Sequence, residues 1–256
     1  MYAMAALLLI ATLAVNNPVA HAGVVITPAS AFSVTWDGND GDFFNAAAAA
    51  TVPTTNALGR PNQALASVGA TPFSDGELGS GHVTTDLNNG LYGNSDSWIS
   101  DGDAATFAGI DFAGTAPLLI KSIAWSRDNG NNVEAACGGQ CTDRNLGVYT
   151  LERTLVLNPD ATTAVTGNAS TGWETVATID FQSDDDGILG GGFTGYYRHE
   201  FLLGAGVYMT GFRLNMSATN IALDELEAFS GPVPEPSTLA LLGLGFVALA
   251  TRRRRK

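Results

Sequence analysis

Lysine is almost missing from this chain of 256 residues, which has only Lys121 and Lys256. Charged residues of all kinds make up 14% of the sequence, whereas glycine reaches 30 residues. A helical bundle needs many Ala, Glu, Lys and Leu residues at 3.6-residue spacing, so this composition argues against one. It is typical of an exported, loop-rich β protein, and the length suits one domain with appendages.

Basic residues are scarce in the body of the chain and are concentrated at its C-terminal end. The formal net charge is -13. Of the 25 acidic and 12 basic residues, the segment 232–256 takes one and five, which leaves the rest with 24 and 7, a net charge of -17. Binding of nucleic acid or of anionic lipid requires clustered Lys and Arg. The body is therefore predicted to bind neither, although it could attract divalent cations.

The first 22 residues contain no Asp, Glu, Lys or Arg. The apolar run "MAALLLIATLAV" is followed by the small-residue stretch Ala20-His21-Ala22, which precedes a predicted cleavage at Gly23. This pattern predicts a secretory signal peptide, in helical form, over residues 1–22. Only the α-amino group supplies positive charge before the apolar run, which is atypical. The alternative is a buried N-terminal helix.

Cysteine is limited to Cys137 and Cys141, in the stretch "CGGQC". A structural zinc ion needs about four grouped ligands, which the sequence does not offer here. Export permits a disulfide between the two cysteines. Because it would close a very short loop, its effect on stability should be small and local. Free or otherwise paired thiols are the alternative.

Catalytic motifs are also missing. The sequence contains no G-x-S-x-G, no H-E-x-x-H, no phosphate-binding loop and no dinucleotide fingerprint. After removal of a signal peptide, only His82 and His199 remain as histidines. Nothing favours a Ser-His-Asp arrangement, and a pair of carboxylates for glycoside hydrolysis is defined by distance in space, which sequence does not give. The chain is predicted not to be an enzyme.

The C-terminal end has three parts in order. The triplet Pro234-Glu235-Pro236 comes first, an uncharged segment of residues 238–250 follows, and the basic run "RRRRK" ends the chain. As a helix the apolar segment would span roughly 20 Å, short of the ~30 Å hydrocarbon core. Followed by basic residues, it predicts a short transmembrane helix that pauses in the membrane and is then processed.

This three-part pattern resembles the PEP-CTERM sorting tail of Gram-negative bacteria, and residues 231–256 are predicted to form one. The resemblance implies recognition by an exosortase, a membrane cysteine transpeptidase, and removal of the tail near the triplet. It also implies transient insertion in the inner membrane, then a cell-surface or extracellular location, often together with exopolysaccharide. The alternative is a plain tail anchor.

Between the two ends, the sequence predicts strands separated by clusters of Gly, Asn and Asp. Apolar and polar residues alternate with period two in several runs, as in half-buried strands. These runs, and the absence of alternating helices, predict an all-β fold: an antiparallel two-sheet jelly-roll sandwich over residues 62–230. Residues 23–61 are less regular and are treated as an N-terminal extension able to add a strand. The predicted strands cover 105–113, 118–126, 148–157, 173–181, 198–203, 208–216 and 221–229.

Several stretches resemble the discoidin family, also called the coagulation-factor C-type domain, of the galactose-binding-like jelly rolls. They occur in the family's order and include "NQALASVGATPFSD" (62–75), "HVTTDLNNGLYGNSDSWIS" (82–100), "IAWSRDN" (123–129) and "IALDELEAF" (221–229). The sequence departs from the family at Asn89, where an Asp is usual, and in the insertion 133–141.

The resemblance implies a structural calcium ion between the early loop and the last strand. Calcium takes six to eight hard oxygen ligands. The matching positions are Asn89, Asn94, Ser97 and Glu225, with Asp86 as a possible substitute carboxylate. The alternative is that these oxygens only cap turns.

The resemblance also implies glycan binding through aromatic stacking and polar contacts in the end loops. The candidate ligand-binding residues are Tyr92, Arg127, Tyr196 and Tyr197, with Trp36 as a further aromatic candidate. Arg127 could instead form an ion pair with Asp128 that fixes a loop. Seven further aromatic residues are expected in the core: Trp98, Phe107, Phe112, Trp125, Tyr149, Trp173 and Phe212.

Two classes of function are consistent with these observations. The first is an exported surface or extracellular-matrix protein whose body is a non-catalytic carbohydrate-binding or adhesion module associated with exopolysaccharide. The second is a structural matrix protein, a spacer without a specific ligand. Exposed aromatic residues in the loops would favour the first class, and their burial would favour the second. A secreted hydrolase is the least favoured of all.

Overall fold

A computed structural model describes residues 19–21, 24–37, 42–45, 50–92, 96–102, 105–128, 147–181, 195–217 and 221–231. The predicted tail helix lies outside these ranges, and so does the predicted signal helix except for Val19–His21, which form a strand. Within the described ranges, no helix has the length and apolar character needed to cross a bilayer. Two 3-10 helices are present, at Ala66–Val68 and Thr84–Asn88.

The first of two large sheets has seven strands, and every neighbouring pair in it is antiparallel. Residues 24–28 of the N-terminal extension join this sheet beside a strand of the main domain. In spatial order the strands are β1 (Val19–His21), β2 (Val24–Pro28), β12 (Glu174–Phe181), β11 (Gly147–Thr154), β14 (Gly211–Met216), β9 (Thr106–Asp111) and β6 (Thr71–Ser74).

The second large sheet has a path of five strands and one more strand beside it, again all antiparallel. In spatial order the path is β3 (Thr35–Trp36), β13 (Gly195–Met209), β10 (Leu118–Asp128), β15 (Ala222–Ser230) and β8 (Trp98–Ile99), and β4 (Asp42–Asn45) also pairs with β13. A separate small ladder joins β5 (Ala50–Thr51) to β7 (Leu91–Tyr92).

The predicted all-β sandwich of two antiparallel sheets is confirmed, but one predicted strand is split. The run 208–216 divides at Thr210, where Met209 ends β13 in one sheet and Gly211 begins β14 in the other. The Thr210 N–H donates to the carbonyl of Thr154 at 2.9 Å, and its hydroxyl donates to the carbonyl of Val156 at 2.5 Å. A single buried Thr thus makes the crossing, without the Gly-Asn-Asp cluster that marks other turns.

The core lies between the sheets and is rich in aromatic side chains. The ring of Trp125 stacks on Phe201, with 4.5 Å between centroids, and lies 6.1 Å from the ring of Tyr149. Of the aromatic residues predicted in the core, all are buried except Phe107, which is half-buried. The Phe107 ring lies under the guanidinium of Arg213, whose carbon is 4.7 Å from the ring centroid. It therefore shields a buried charge at the edge of the core.

The sandwich has two ends, and the described chain finishes at one of them, with Gly231. The tail end consists of residues 29–34, 66–70, 112–117 and 155–173, together with the crossing at Thr210 and the last sheet residues Ser230 and Gly231. These segments follow or precede strand ends that the pairing places side by side, such as Leu118 with Met209 and Gly211 with Asp111. The distal end is the opposite one, where Asp128 of β10 pairs with Tyr196 of β13.

Candidate functional site

Three of the four predicted ligand-binding residues meet at the distal end. Arg127 of β10 is the direct strand partner of Tyr197, and Tyr196 is the partner of Asp128. On the other side of β13, the same two tyrosines pair with Phe43 and Phe44 of β4. The backbone register therefore gathers one cationic residue and two tyrosines on adjacent strands, although their side-chain positions lie outside the described part of the structure.

The fourth predicted ligand-binding residue, Tyr92, is buried, which corrects its expected role as an exposed ring. Its side chain is fully enclosed, and its hydroxyl donates to Glu227 Oε1 at 2.7 Å. Burial, together with the nearby carboxylate of Glu227, raises the pKa of the phenol. Trp36 is also buried, with its ring 5.2 Å from that of His199. Neither ring is open to a glycan in this conformation.

Glu225 is a fully buried carboxylate, and one of its oxygens accepts no hydrogen bond from the described residues. Its Oε1 accepts from the N–H of Gly90 at 2.5 Å, while its Oε2 has no partner among the described residues. Burial raises the pKa of Glu225 well above its ordinary value, and the neighbouring carboxylates of Glu227 and Asp224 add to the shift. An unpaired buried carboxylate oxygen is costly unless a cation satisfies it.

The other predicted metal ligands divide between two environments. Asn89 is exposed and caps a turn: its Oδ1 accepts from the N–H of Leu91 at 2.8 Å. Asp86 accepts from the N–H of Val83 at 3.0 Å and from Asn89 Nδ2 at 3.3 Å, and burial raises its pKa. Both residues therefore have local hydrogen-bonding roles.

Ser97, by contrast, is fully buried near Glu225's strand. Its carbonyl oxygen lies 2.9 Å from His82 Nδ1, and its hydroxyl lies 3.3 Å from the same nitrogen. Asn94 lies outside the described residues. In the described ranges no three His, Cys, Asp or Glu residues are grouped for a metal. Calcium also takes amide, hydroxyl and backbone carbonyl oxygens, so the oxygens of Glu225 and Ser97 are of the kinds that such an ion accepts.

Sequence reasoning missed a buried polar network on the outer face of the six-stranded sheet. Arg198 Nε donates to Glu227 Oε1 at 2.6 Å, and the Nη2 of the same side chain donates to Glu227 Oε2 at 3.0 Å. Asn56 Nδ2 and the Ser122 hydroxyl donate to Glu200 Oε1 at 2.7 and 2.5 Å. All five side chains are at least nine-tenths buried.

The covering of this network explains why the sequence did not reveal it. In "RHEFLL" the alternation places Arg198 and Glu200 on the face away from the core, where solvent is expected. Residues 54–63, where the N-terminal extension passes into the domain, cover that face instead, and Gln63 donates its N–H to the carbonyl of Ala228 at 2.7 Å. A strand pattern shows which face a residue occupies but not what later covers it.

The predicted sorting triplet Pro234-Glu235-Pro236 and the predicted disulfide partners Cys137 and Cys141 lie outside the described residues. Gly231 is the last residue in the described part of the chain, and its N–H donates to the carbonyl of Leu119 at 2.9 Å. The triplet therefore begins three residues after a residue that is hydrogen-bonded into the sheet.

Solved structures with some likeness to this chain have names that mention carbohydrate binding. One is a chitosan-binding module from a chitosanase/glucanase of Paenibacillus sp. IK-5, with 14% identity and a TM-score of 0.41, covering 66% of this chain and 100% of that one. A fucolectin from Morone saxatilis (striped bass) serum has 13% identity and a TM-score of 0.43, covering 66% and 49%.

A fucose-binding module from Streptococcus pneumoniae also has 13% identity, with a TM-score of 0.40 and coverage of 66% and 98%. With TM-scores below 0.5, the fold given above rests on the strand pairing and not on these likenesses. No curated protein matches the chain.

The C-terminal end gives a direct match. Residues 232–255 match the family model of the PEP-CTERM protein-sorting motif. They comprise the proline-flanked glutamate, the apolar segment and the basic cluster, and they begin directly after Gly231. The chain therefore carries a PEP-CTERM sorting motif at the end of a two-sheet β sandwich, and this motif indicates an exported protein with a membrane-passing tail.

Proposed function

We propose that this chain is a surface or extracellular-matrix protein of a Gram-negative bacterium, sorted by an exosortase. Its body serves as a non-catalytic carbohydrate-binding or adhesion module associated with exopolysaccharide. The observation that carries the sorting part is the motif match at residues 232–255. Because the motif begins right after the last sheet residue, removal of the tail would leave the sandwich intact.

The distal end is the proposed binding surface. It holds the strand partners Arg127 and Tyr197 next to Tyr196, at the end opposite the tail. Leu119, which binds Gly231, and Arg127 are eight residues apart on β10, roughly 26 Å at the rise of a β-strand. Tyrosine rings offer a flat apolar face and a polar hydroxyl, and arginine offers several donors, which together suit a sugar.

A structural calcium ion is proposed as a second feature. The supporting observation is the buried Oε2 of Glu225, which accepts no hydrogen bond in the described structure. Ser97 is the other buried residue of the predicted set, and Asn94 is proposed with it on sequence grounds. Bound calcium would supply the missing positive charge beside Glu225 and would link the early loop to the last strand.

Processing is tested by intact-mass analysis of the exported protein. In a host with an exosortase, we expect a mature species that has lost the residues beyond about Pro234. The same chain in a host without the enzyme keeps the tail and serves as the control. A mature species that retains Arg252–Lys256 in the first host contradicts sorting by tail removal.

Glycan binding is tested by screening the exported protein on a glycan array, with and without calcium. For any sugar that binds on the array, we expect the Tyr197→Ala variant to lose this binding. Tyr208→Ala is the matched control, since Tyr208 is an exposed tyrosine of the same strand near the tail end. If no sugar binds above background in either condition, the spacer function replaces the binding function.

A further inference from the structure

The tail end of the sandwich has almost no charge, although the body as a whole is strongly acidic. Its loop segments 29–34, 66–70, 112–117 and 155–173 contain one charged residue, Asp160. Strand residues at this end add Lys121, Asp111 and the ion pair of Arg153 with Glu174, two positive and two negative charges. The formal charge of the tail end is therefore near zero.

Acidic residues are concentrated elsewhere. The segment 75–102, which leaves β6 and returns towards β9 at the distal end, contains no Lys or Arg. It carries five acidic residues. Asp75, Glu77, Asp96 and Asp101 lie in the parts next to β6, β8 and β9, whereas Asp86 lies in the 3-10 helix whose Asn88 donates to the carbonyl of Ala70 at 3.1 Å. The body would thus be repelled by an anionic surface at one end but not at the other.

Exposed apolar side chains occur at the tail end, where the few charges nearly balance. Four of the seven large hydrophobic residues exposed in the described structure are at or near it: Val68, Leu157, Val165 and Tyr208. Leu157 and Val165 lie in the same segment 155–173, and Val68 lies in the 3-10 helix that leads into β6. An exposed tyrosine with aliphatic neighbours is a combination that suits a membrane–water interface.

The tail leaves from this same end. Gly231 is hydrogen-bonded to Leu119, and the apolar segment begins at Thr238, seven residues later. Seven extended residues reach at most about 25 Å, so a membrane-inserted tail must keep the tail end close to the bilayer.

We propose that, before the tail is removed, the tail end rests on the phospholipid surface through Val68, Leu157, Val165 and Tyr208. The distal end with Arg127, Tyr196 and Tyr197 then points away from the membrane. This inference rests on the proposed function, because it requires the sorting tail to be inserted. Lipid is the proposed partner of this surface, because the short connection holds the tail end near the bilayer and the near-zero charge there does not oppose contact.

The test uses the full chain with its tail in vesicles of phosphatidylcholine brominated near the headgroup, which quenches tryptophan at the interface. The four native tryptophans are buried in the sandwich, so an added exposed tryptophan can be measured above them. Val165→Trp reports on the tail end. Leu78→Trp is the matched control, because Leu78 is 53% exposed and Val165 66% exposed, but the N–H of Leu78 donates to the carbonyl of Ile99 in β8, which pairs with the distal start of β15.

We expect quenching of the added tryptophan to be about twofold or more stronger in Val165→Trp than in Leu78→Trp. In the Val165→Trp background, Leu157→Glu should lower the quenching, because a charge there opposes contact with the interface. Leu78→Glu, at a residue of similar exposure away from this end, should leave it unchanged. Near-ultraviolet circular dichroism checks that each variant keeps its fold.

Equal quenching of the two tryptophan variants would overturn the lipid contact. So would a dimer in solution that shields Val165→Trp without vesicles, because the occupant would then be a second copy of the chain. Flotation of the unmodified chain separates the two proposals. If the chain does not float with vesicles, the proposal that the tail inserts is contradicted, and so is the proposed lipid contact. If it floats but the variants do not differ, only the lipid contact fails.

Discussion

At the scale of single residues, Glu225 combines complete burial with an oxygen that has no hydrogen-bond partner in the described part of the chain. A buried acid whose folded-state pKa lies above its unfolded value favours the protonated form. Its ionisation therefore lowers the stability of the folded protein as the pH rises above the ordinary pKa of 4.5. A cation beside Oε2 would remove this penalty, and this links the proposed metal site to a measurable property of one side chain.

The first prediction concerns calcium and Glu225. Glu225→Gln keeps the shape but deletes the charge, so it should abolish any rise in melting temperature that millimolar calcium causes after chelator treatment. The same variant should melt at a higher temperature than the calcium-free unmodified protein at pH 7. Glu174→Gln, at a partly exposed carboxylate, is the control and should keep the full calcium shift. A full shift in Glu225→Gln would contradict the metal site.

The second prediction concerns Gly109 in β9, where no side chain fits. A Cβ there would lie 2.5 Å from Phe73 Cζ and 2.6 Å from the carbonyl oxygen of Phe212. Gly109→Ala is expected to lower the free energy of unfolding by about 2–3 kcal/mol, because ring and backbone must both shift. Gly79→Ala is the comparison, since its Cβ would meet nothing and only its positive φ of 76° costs energy, about 1–2 kcal/mol. Urea denaturation measures both, and equal losses would contradict the steric argument.

At the scale of elements, the outer face of β10, β13 and β15 is held by buried charged groups as well as by apolar packing, such as that of Phe229. Arg198 joins β13 to β15 through Glu227, and Asn56 joins the N-terminal extension to β13 through Glu200. Burial opposes the charge of Arg198, but the carboxylate of Glu227 outweighs it and raises the pKa of the guanidinium. The extension is thus attached through paired buried groups, and loss of one partner would leave the other buried without compensation.

The third prediction follows from this dependence. Arg198→Met leaves the buried carboxylates of Glu227 and Glu200 without their cation and should lower the free energy of unfolding by about 3–5 kcal/mol. Arg153→Met removes an arginine from a partly exposed pair with Glu174, so its loss should be within about 1 kcal/mol. If both variants lose the same amount in chemical denaturation, the buried network is not what stabilises this face.

Element by element, the sequence predicted what local alternation controls. The run "VYTLERTLVL" alternates, and β11, at residues 147–154, covers 148–154 of the predicted 148–157. It did not predict the sheet change at Thr210, because the change is fixed by hydrogen bonds to residues more than fifty positions earlier. Short strands such as β3 and β5, of two residues each, are too brief to show any period.

At the scale of the whole molecule, stability should depend on pH through one partly buried and one exposed carboxyl. Burial raises the pKa of Asp111 from 3.8 to about 6. Hydrogen bonds from Thr162 and Thr163 instead lower the pKa of Asp160, which is fully exposed. Ionisation of Asp111 therefore lowers the stability of the folded protein as the pH rises from about 4 through 6. Asp160 instead contributes stability above its ordinary pKa, and this stability is lost on acidification.

The fourth prediction uses these opposite signs. Asp111→Asn should make the protein more stable than the unmodified chain at pH 7 and should give no such gain at pH 3, below both the ordinary and the folded-state pKa. Asp160→Asn is the counterpart and should be neutral or slightly destabilising at pH 7. Denaturant unfolding at the two pH values, in the presence of a chelator, measures both. A gain for Asp111→Asn that does not change with pH would contradict the role of ionisation.

The candidate site was only partly predictable from the sequence. Arg127, Tyr196 and Tyr197 were all predicted as ligand-binding residues, and the strand register places them on neighbouring strands. It failed for Tyr92, because a tyrosine in a Gly-Asn-rich loop has the same local pattern whether its hydroxyl faces water or Glu227. Which loops fold back on the sandwich depends on contacts far apart in sequence, and one sequence does not contain them.

The hydrogen bond from Gly231 to Leu119 has a mechanical consequence. A pull on the C-terminus enters the sandwich through β15, which is paired with β10 along its length and with β8 near its start. If the load is taken up at the distal end, it runs parallel to these strands and perpendicular to their hydrogen bonds. The bonds then share the force as a group in shear instead of opening one at a time like a zipper. A protein attached at one end and bound to a ligand at the other would resist tension through this arrangement of strands.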